Sequence, residues 1–329
     1  MQAGNGVRRL TSQSATPEGR ASARTVFGFP LSILGLMLLC GSGWGCSIKM
    51  MAVNGLGDAM AAGGDTYSSD DDPELIKAAT PFTLKLMESL LDQNPRHKGL
   101  LLATSSGFTQ FSRAFVHLEG DELEDTNLDA AIARWDRAAR LYLRARDYGL
   151  RGLELEHDGF GQMLYSDLEA AVAVTDSEDV PQLYWTAVSW IAAISLSADD
   201  TDLIGDLPVA EALIDRALEL DESFDYGAIH AFLITYEMSR QGGTGDPATR
   251  ARHHFERAME LSDGQLAQPL VALAEAVAVP EQNRQEFESL LHRALAIDPN
   301  ARPEWRMNNL IYQRRARWLL ARTDRLILD

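Results

Sequence analysis

Apolar residues recur along most of this chain at intervals of three and four positions, the spacing of one face of an α-helix. In the stretch 209–236, a first stripe consists of Ala210, Leu213, Ile214, Ala217 and Leu218. The turn sequence LDESFDYG follows, and then a second apolar run, 229–236. Neither helix can bury its stripe alone, so the pattern predicts paired helices that also pack on further neighbours.

The same periodicity predicts helices on both sides of this pair. A helix start is predicted at Asp72-Pro73-Glu74, which supplies an N-cap, a first-turn proline and an acid at the positive helix end. Other helices are predicted at 98–118, 127–156 with a break at Tyr148-Gly149, 160–174, 181–196, 248–261, 266–278, 281–297 and 303–323. No alternating β pattern of useful length occurs, so the predicted fold class is all-α, with no β-sheet.

A weak internal repeat accompanies the helices. The spacing Ala-x3-apolar-x2-Ala occurs at 138–145, 210–217 and 251–258, and 287–294 fits with one substitution before the closing Pro299. The small residues predicted to allow close helix packing are Ala145, Ala217, Ala258 and Ala294. This pattern predicts degenerate tetratricopeptide-like helix-turn-helix repeats in a helical array. A generic helical bundle is the alternative.

The N-terminus has the organisation of an exported protein. Residues 1–24 are polar and carry arginines, 25–39 are apolar, and small residues precede Cys46. This arrangement predicts a lipoprotein-type signal peptide at 1–45, with Cys46 as the lipid attachment site. An ordinary cleaved signal and an uncleaved anchor are the alternatives. The rest is divided into a lipidated N-terminus, short helix and linker at 46–72, and a single all-helical domain at 73–329.

Composition narrows the possible functions. The 329 residues carry a net charge of −18, and residues 1–45 contribute four arginines and one glutamate, so their removal leaves about −21. Such a charge repels phosphate backbones and argues against binding of nucleic acid. Both cysteines, Cys40 and Cys46, lie before the predicted domain, which excludes a disulfide framework and a cysteine metal site within it.

No pattern of catalytic or metal-binding residues is recognisable. Asp70-Asp71-Asp72 with Glu74 has the D-D-x-x-E spacing of a magnesium–diphosphate motif, but it precedes Pro73 on a polar stretch, and helix capping is the better interpretation. The histidines do not form H-E-x-x-H, and the loop GGTGDP (242–247) lacks the P-loop lysine. The sequence therefore predicts no catalytic residues, no metal site and no cofactor.

Two apolar helices also carry polar groups. The segments SGFTQF (106–111) and LYWTAVSWIAAISLS (183–197) combine aromatic residues with Ser and Thr, as the wall of an apolar ligand channel would, although any helical core has the same composition. The candidates for a channel or partner surface are Phe108, Gln110, Phe111, Tyr184, Trp185, Trp190 and His230. His230 is interpreted as a hydrogen-bonded core residue rather than a metal ligand. The arginines of 302–325 are interpreted as charge compensation for acidic neighbours.

Seven segments together resemble the TRAP transporter TatT component family. They are GCSIKMMAVNGLGDAM (45–60), DDDPELIKAATPFTLKLMESLL (70–91), GLLLATSSGFTQFSRAFV (99–116), LYLRARDYGLRGLE (141–154), LYWTAVSWIAAISLS (183–197), AIHAFLITYE (228–237) and PEWRMNNLIYQRRARWLLAR (303–322). The resemblance covers essentially the whole predicted mature region.

The resemblance implies an all-helical periplasmic lipoprotein, built from cryptic tetratricopeptide-like repeats and assembled as a homotrimer. Such a protein would dock the substrate-binding protein of a tripartite ATP-independent periplasmic (TRAP) transporter and offer an apolar channel to a hydrophobic ligand. Ser47, directly after Cys46, favours the outer membrane.

Two other functions remain open at this point. One is a structural lipoprotein scaffold in envelope assembly, which the same leader and repeats would suit. The other is an all-α enzyme acting on a hydrophobic substrate, for which Asp71 and Glu74 are the candidate residues.

Overall fold

The structure is a computed structural model that describes residues 51–328, and all regular secondary structure in this range is helical. The all-α prediction is therefore confirmed for this part of the chain. The predicted leader at 1–45 and the predicted lipid attachment site at Cys46 lie outside the described residues.

Seventeen α-helices follow one another in the described range. They are α1 (51–62), α2 (Gly64–Ser68), α3 (Pro73–Gln93), α4 (Lys98–Ser112), α5 (Leu118–Leu123), α6 (Leu128–Glu156), α7 (Phe160–Ser166), α8 (Leu168–Ala173), α9 (Val180–Ser195), α10 (Thr201–Gly205), α11 (Leu207–Leu220), α12 (Phe224–Tyr236), α13 (Pro247–Leu261), α14 (Ala267–Leu273), α15 (Arg284–Ala296), α16 (Arg306–Leu320) and α17 (Thr323–Leu326). A π-helical turn at Arg113–His117 joins α4 to α5, and another at Ala274–Ala278 follows α14.

Local sequence signals account for several helix boundaries. The Asp72 side chain accepts hydrogen bonds from the backbone N–H groups of Glu74 and Leu75, which confirms that this acidic run caps a helix. The predicted turn LDESFDYG extends into the first residues of α12, where Asp225, Tyr226 and Gly227 have non-helical φ of 44°, 56° and 88°. Three consecutive left-handed residues, two of which are not glycine, form a strained turn.

The predicted break at Tyr148-Gly149 is wrong, because α6 runs unbroken through both residues. Gly149 serves close packing instead of helix termination. A Cβ atom at this position would lie 2.1 Å from Oγ1 of Thr186 on α9 and 3.2 Å from Oγ of Ser105 on α4. The missing side chain thus allows α6 to cross both of these helices at short range.

The helices pack mainly on their neighbours along the chain. The first hydrophobic cluster lies chiefly among α3, α4, α6, α9 and α11, and the second among α12 to α16 with the π turn Ala274–Ala278. The four small residues of the repeat pattern, Ala145, Ala217, Ala258 and Ala294, are all buried in these clusters. Stacked helix pairs with small residues at their contacts are compatible with tetratricopeptide-like repeats.

The two ends of the helical array meet. α16 packs against α2 and α3, and α2 also contacts the 3₁₀ turn Pro303–Trp305 that precedes α16. The residues predicted as a flexible linker therefore include a short helix, α2, that contacts the C-terminal part of the array. Residues 48–329 form one compact unit whose described residues bury both clusters, so this unit contains what it needs to fold alone.

Within residues 51–328, no helix combines the length and hydropathy needed to cross a membrane.

Replacement of Gly149 by Ala tests the close approach of α6 to α9. We expect a loss of about 1–3 kcal/mol in the free energy of unfolding, because the new Cβ forces the two helices apart. Gly55→Ala in α1 is the matched control, since nothing lies within 4 Å of its Cβ position. Urea unfolding of both variants measures the difference, and equal stabilities would contradict the proposed contact.

Candidate ligand-binding interior

Arginines of α16 and α17 join the last helices of the array to the first ones. The N–H groups of Arg306 donate to the carbonyl oxygen of Ser69, and those of Arg314 to Glu122 at 3.2 Å. The other contacts pair Arg315 with Asp121 at 3.3 Å, and Arg322 and Arg325 with Asp125 at 3.3 and 2.7 Å. We call these contacts the closure pairs. They show that the C-terminal arginines meet acidic neighbours from distant parts of the chain.

Arg315 is the most buried member of the closure pairs, with 7% of its side chain exposed. Its Nη2 lies 2.6 Å from Oε1 of Glu275 and 3.3 Å from Asp121. Its guanidinium also lies over the ring of Trp318, 4.2 Å from the centroid. Nη1 is buried without a hydrogen-bond partner. One arginine thus links three parts of the chain, namely α5, the second π turn and α16.

Arg113, in the first π turn, has a different environment. Its guanidinium makes no hydrogen bond and no ion pair with any residue of the described range, although it is half-buried. The pKa of Arg113 is raised above its ordinary value. Burial by itself would lower this pKa, but electrostatic interactions with Tyr312, Tyr142, Asp121 and Glu275 outweigh the effect of burial. Short π-helical turns within α-helices occur frequently at functional sites.

Electrostatic interactions show which further side chains lie near one another. Tyr142 interacts with Arg113 and Tyr312, and Tyr184 interacts with Tyr312 and Asp225. Burial raises the pKa of both Tyr142 and Tyr184, so both are protonated at neutral pH. Tyr312 is common to both sets. The side chains therefore form one connected group, to which α6, α9, α12, α16 and the first π turn contribute.

The members of this group differ in exposure. Arg113 is half-buried and Asp225 is exposed, whereas Tyr142 and Tyr184 are buried. We define Arg113, Tyr142, Tyr184, Asp225 and Tyr312 as the inner wall of the array.

His117 lies beside this group of side chains. Its Nδ1 lies 3.3 Å from the hydroxyl of Tyr142, and its Nε2 lies 3.7 Å from Asp121. Burial lowers the pKa of His117 to about 3, and the charges of Arg113 and Arg315 contribute to this change. Burial is the larger influence, so His117 is neutral at neutral pH.

The structure separates the predicted channel candidates. Tyr184 belongs to the inner wall and packs edge-on against Trp185, with 4.8 Å between ring centroids. Phe108 is buried and stacks on Tyr148, and Phe111 is buried beside Phe115. Gln110 is exposed and makes no described side-chain contact.

Trp190 and His230 lie in helix interfaces. Trp190 is fully buried in the first cluster, beneath the guanidinium of Arg146 at 5.0 Å from the ring centroid. His230 is buried between α12 and α13, where its Nδ1 lies 2.8 Å from Nδ1 of His254 and its Nε2 lies 3.3 Å from Glu222. His230 is thus a hydrogen-bonded core histidine, as the sequence indicated.

The sequence analysis did not single out Arg113, Asp225 or Tyr312 as site residues. A signal for Arg113 was present, because it interrupts an otherwise apolar and small-residue helix, 98–118. Asp225 and Tyr312 carry no such signal, since an acid in a turn and a tyrosine in an amphipathic helix are both ordinary.

The outer surface has two shallow depressions that contain paired arginines. One, of about 260 Å³ between α13 and α15, contains Arg252, which bonds to Glu281 and Glu286. Another, of about 300 Å³, lies at the predicted loop 242–247, where Arg250 donates to backbone oxygens of the loop and to Glu237. Arg293, which also lines the first depression, is exposed and lies over the ring of Phe255, 6.0 Å from the centroid, without an ion pair among the described residues. Among residues 51–328, no group of three or more His, Cys, Asp or Glu residues could hold a metal ion.

The family described as TRAP transporter T-component matches residues 69–327 of this chain. The chain is also 30% identical over 310 residues to an uncharacterized protein of Treponema pallidum (strain Nichols), a match that covers 89% of this chain and 95% of that protein. The family match contains every residue of the inner wall and of the closure pairs.

The importance of the closure pairs can be tested at Arg315. Arg315→Met retains an apolar side chain but removes the donor of Glu275 and one of the partners of Asp121, so we expect the free energy of unfolding to fall by about 2–4 kcal/mol. Arg317→Met is the matched control, because Arg317 is the exposed arginine on the same helix. Urea unfolding gives both values, and a similar loss in the two variants would refute a specific role for closure.

The histidine pair predicts a pH-dependent stability. Burial, followed by the charge of His230, lowers the pKa of His254 from its ordinary 6.5 to about 4, and burial also lowers the pKa of His230. Between these pH values the unfolded chain binds protons on the two histidines more readily than the folded chain does. The folded state therefore loses stability as pH falls from about 6.5 towards 4. We expect His254→Gln to lose less melting temperature between pH 7.5 and pH 5 than the unmodified protein. His292→Gln, at an exposed position, should show the unmodified pH dependence.

Proposed function

Because this chain belongs to the TRAP transporter T-component family, we propose that it is the non-enzymatic accessory that docks the substrate-binding protein of a TRAP transport system. Membership of the family makes the chain a component of such a system. The proposal adds that the protein acts by binding, and that its closed helical array offers a passage to a hydrophobic ligand.

The family match over residues 69–327 is the observation that carries this proposal. Three of the five side chains of the inner wall are tyrosines, which present large apolar rings together with hydroxyl groups. The catalytic alternative has weaker support, because Asp71 and Glu74 lie at the capped start of α3 and line neither of the two depressions described above.

Exposed apolar residues suggest where other chains bind. Leu75 and Phe82 are 56% and 74% exposed and lie seven residues apart, on the same face of α3. Leu128 and Ile132, four residues apart at the start of α6, form a second exposed apolar pair. Solvent-exposed apolar patches commonly mark protein interfaces. We assign the face of α3 to contacts within a homotrimer and that of α6 to the substrate-binding protein.

The proposed location is the periplasm, with the protein anchored by a lipid on Cys46 and the outer membrane favoured by Ser47. A lipid anchor would keep the helical array beside the membrane while a soluble substrate-binding protein delivers ligand to it. Metabolic labelling with a palmitate analogue tests the anchor, and Cys46→Ala should abolish incorporation while Cys40→Ala should retain it. Labelling of the Cys46→Ala protein would disprove the assignment.

Docking can be tested with the protein comprising residues 48–329 and its cognate substrate-binding protein. We expect the two to co-elute in size-exclusion chromatography. Ile132→Asp should weaken the complex at least tenfold, since it places a charge in the proposed apolar contact. Phe82→Asp serves as the comparison, because it should disrupt the trimer, measured by light scattering, and leave docking intact. Failure of the unmodified proteins to bind each other would overturn the proposal.

A further inference from the structure

The helix α1 (51–62) follows the proposed lipid attachment site most closely in the chain, and its outer face carries almost no charge. Met51 and Leu56 are 70% and 46% exposed. The other exposed positions of this helix are Ala52, Gly55, Asp58, Ala59 and Ala62. Only Asp58 among them is charged, although charged residues make up 24% of the chain. α1 therefore presents to its surroundings a face of small and apolar side chains.

The opposite side of α1 is held against the connection between α3 and α4. Nδ2 of Asn94 donates a hydrogen bond to Oδ1 of Asn54 at 2.8 Å. Gly57 is buried, and a Cβ atom at this position would lie 2.7 Å from Nε2 of His97. The same nitrogen lies 3.2 Å from Oδ1 of Asp58. Because these contacts fix the rotation of α1 about its own axis, its uncharged face has a fixed direction.

Chain length restricts how far α1 can lie from a bilayer. Residues 46–50 link the proposed lipid attachment site to α1, and an extended chain of this length spans at most about 18 Å. A lipid on Cys46 would therefore keep Met51 within that distance of the headgroups. Lys49, within the link, would add a positive charge beside the headgroup phosphates. A weak contact of α1 with lipid is then sufficient, because the tether raises the effective concentration of the helix at the surface.

The charge of the protein also favours α1 as the side that meets lipid. Without residues 1–45 the chain has a net charge of about −21, so anionic headgroups repel most of its surface. Transfer of charged side chains from water to an apolar environment is also costly. α1 exposes one acid, Asp58, and this acid has His97 beside it. The helix that the tether brings nearest to the bilayer is thus also one that resists the contact least.

We propose that the outer face of α1, defined by Ala52, Leu56 and Ala59, lies on the surface of a lipid bilayer. These residues are four and three positions apart, so they share one side of the helix. The inference rests on the lipid anchor proposed at Cys46, and it adds which side of the helical array faces the membrane. The contact is made at the headgroup level, with α1 lying along the surface.

A single introduced cysteine tests the proposal, because the sequence has no cysteine after Cys46, whose own thiol is consumed by the lipid. The lipidated protein with Leu56→Cys is spin-labelled and reconstituted in phosphatidylcholine vesicles. In electron paramagnetic resonance, we expect the label to lose most of its collisions with a water-soluble nickel chelate and to retain those with oxygen. Val174→Cys is the matched control, because Val174 is 47% exposed on a distant helix end, and its label should remain accessible to the chelate.

Two further measurements separate lipid contact from other causes of protection. In the soluble protein comprising residues 48–329, the label at position 56 should be accessible to the chelate, because no bilayer is present. In the lipidated protein, Leu56→Asp should restore chelate access to a label introduced by Ala52→Cys, since a charge on this face opposes contact with lipid. Ala52→Cys alone also serves as the reporter if Leu56→Cys does not fold.

Two results would overturn the proposal. One is equal access of the chelate to labels at positions 56 and 174 of the lipidated protein. The other is protection of position 56 in the soluble protein, which would identify a second copy of the chain as the occupant of this face. Incorporation of the palmitate analogue measures the anchor separately. A lipidated protein whose label at position 56 stays in water would reject the α1 contact and leave the anchor standing, whereas no incorporation would reject both.

Discussion

The closure pairs hold the helical array in the form on which its interior depends. A succession of helix pairs needs only contacts between neighbours, and such an array is normally open at both ends. Here Arg315 of α16 bonds to Asp121 of α5 across 194 positions of sequence, and Arg306 reaches Ser69 across 237. These contacts bring the last helices against the first. Side chains from α6, α9, α12 and α16 then lie near one another in the inner wall.

Ion pairs occur both on the outer surface of the protein and in its interior. On the outer surface, acids and arginines pair with one another, as in the depression where Arg252 bonds to Glu281 and Glu286. Exposed pairs of this kind contribute little to stability. In the interior, Arg315 bonds to both Glu275 and Asp121, although its Nη1 has no hydrogen-bond partner.

The sequence predicts the local part of this architecture well. Apolar periodicity places most helices within a few residues of their observed bounds, and Asp72 caps α3 as its chemistry indicates. The break predicted at Tyr148-Gly149 was wrong, because a glycine inside a helix can end it or allow another helix to approach, and only the neighbours decide which. The inner wall was largely missed for a similar reason. Its residues are brought together by closure, and no local pattern records which distant helices meet.

Closure has a consequence for how the protein acquires its structure. An open array can fold from any point and grow by one helix pair at a time, with partly formed arrays as stable intermediates. Contacts that span most of the chain form last, because the loop between them must be ordered first. Until α16 has packed, Asp121 and Glu275 lack their ion pairs with Arg315. An incomplete array therefore contains carboxylates without these partners, which is unfavourable. We therefore expect the array to fold as one cooperative unit rather than one helix pair at a time.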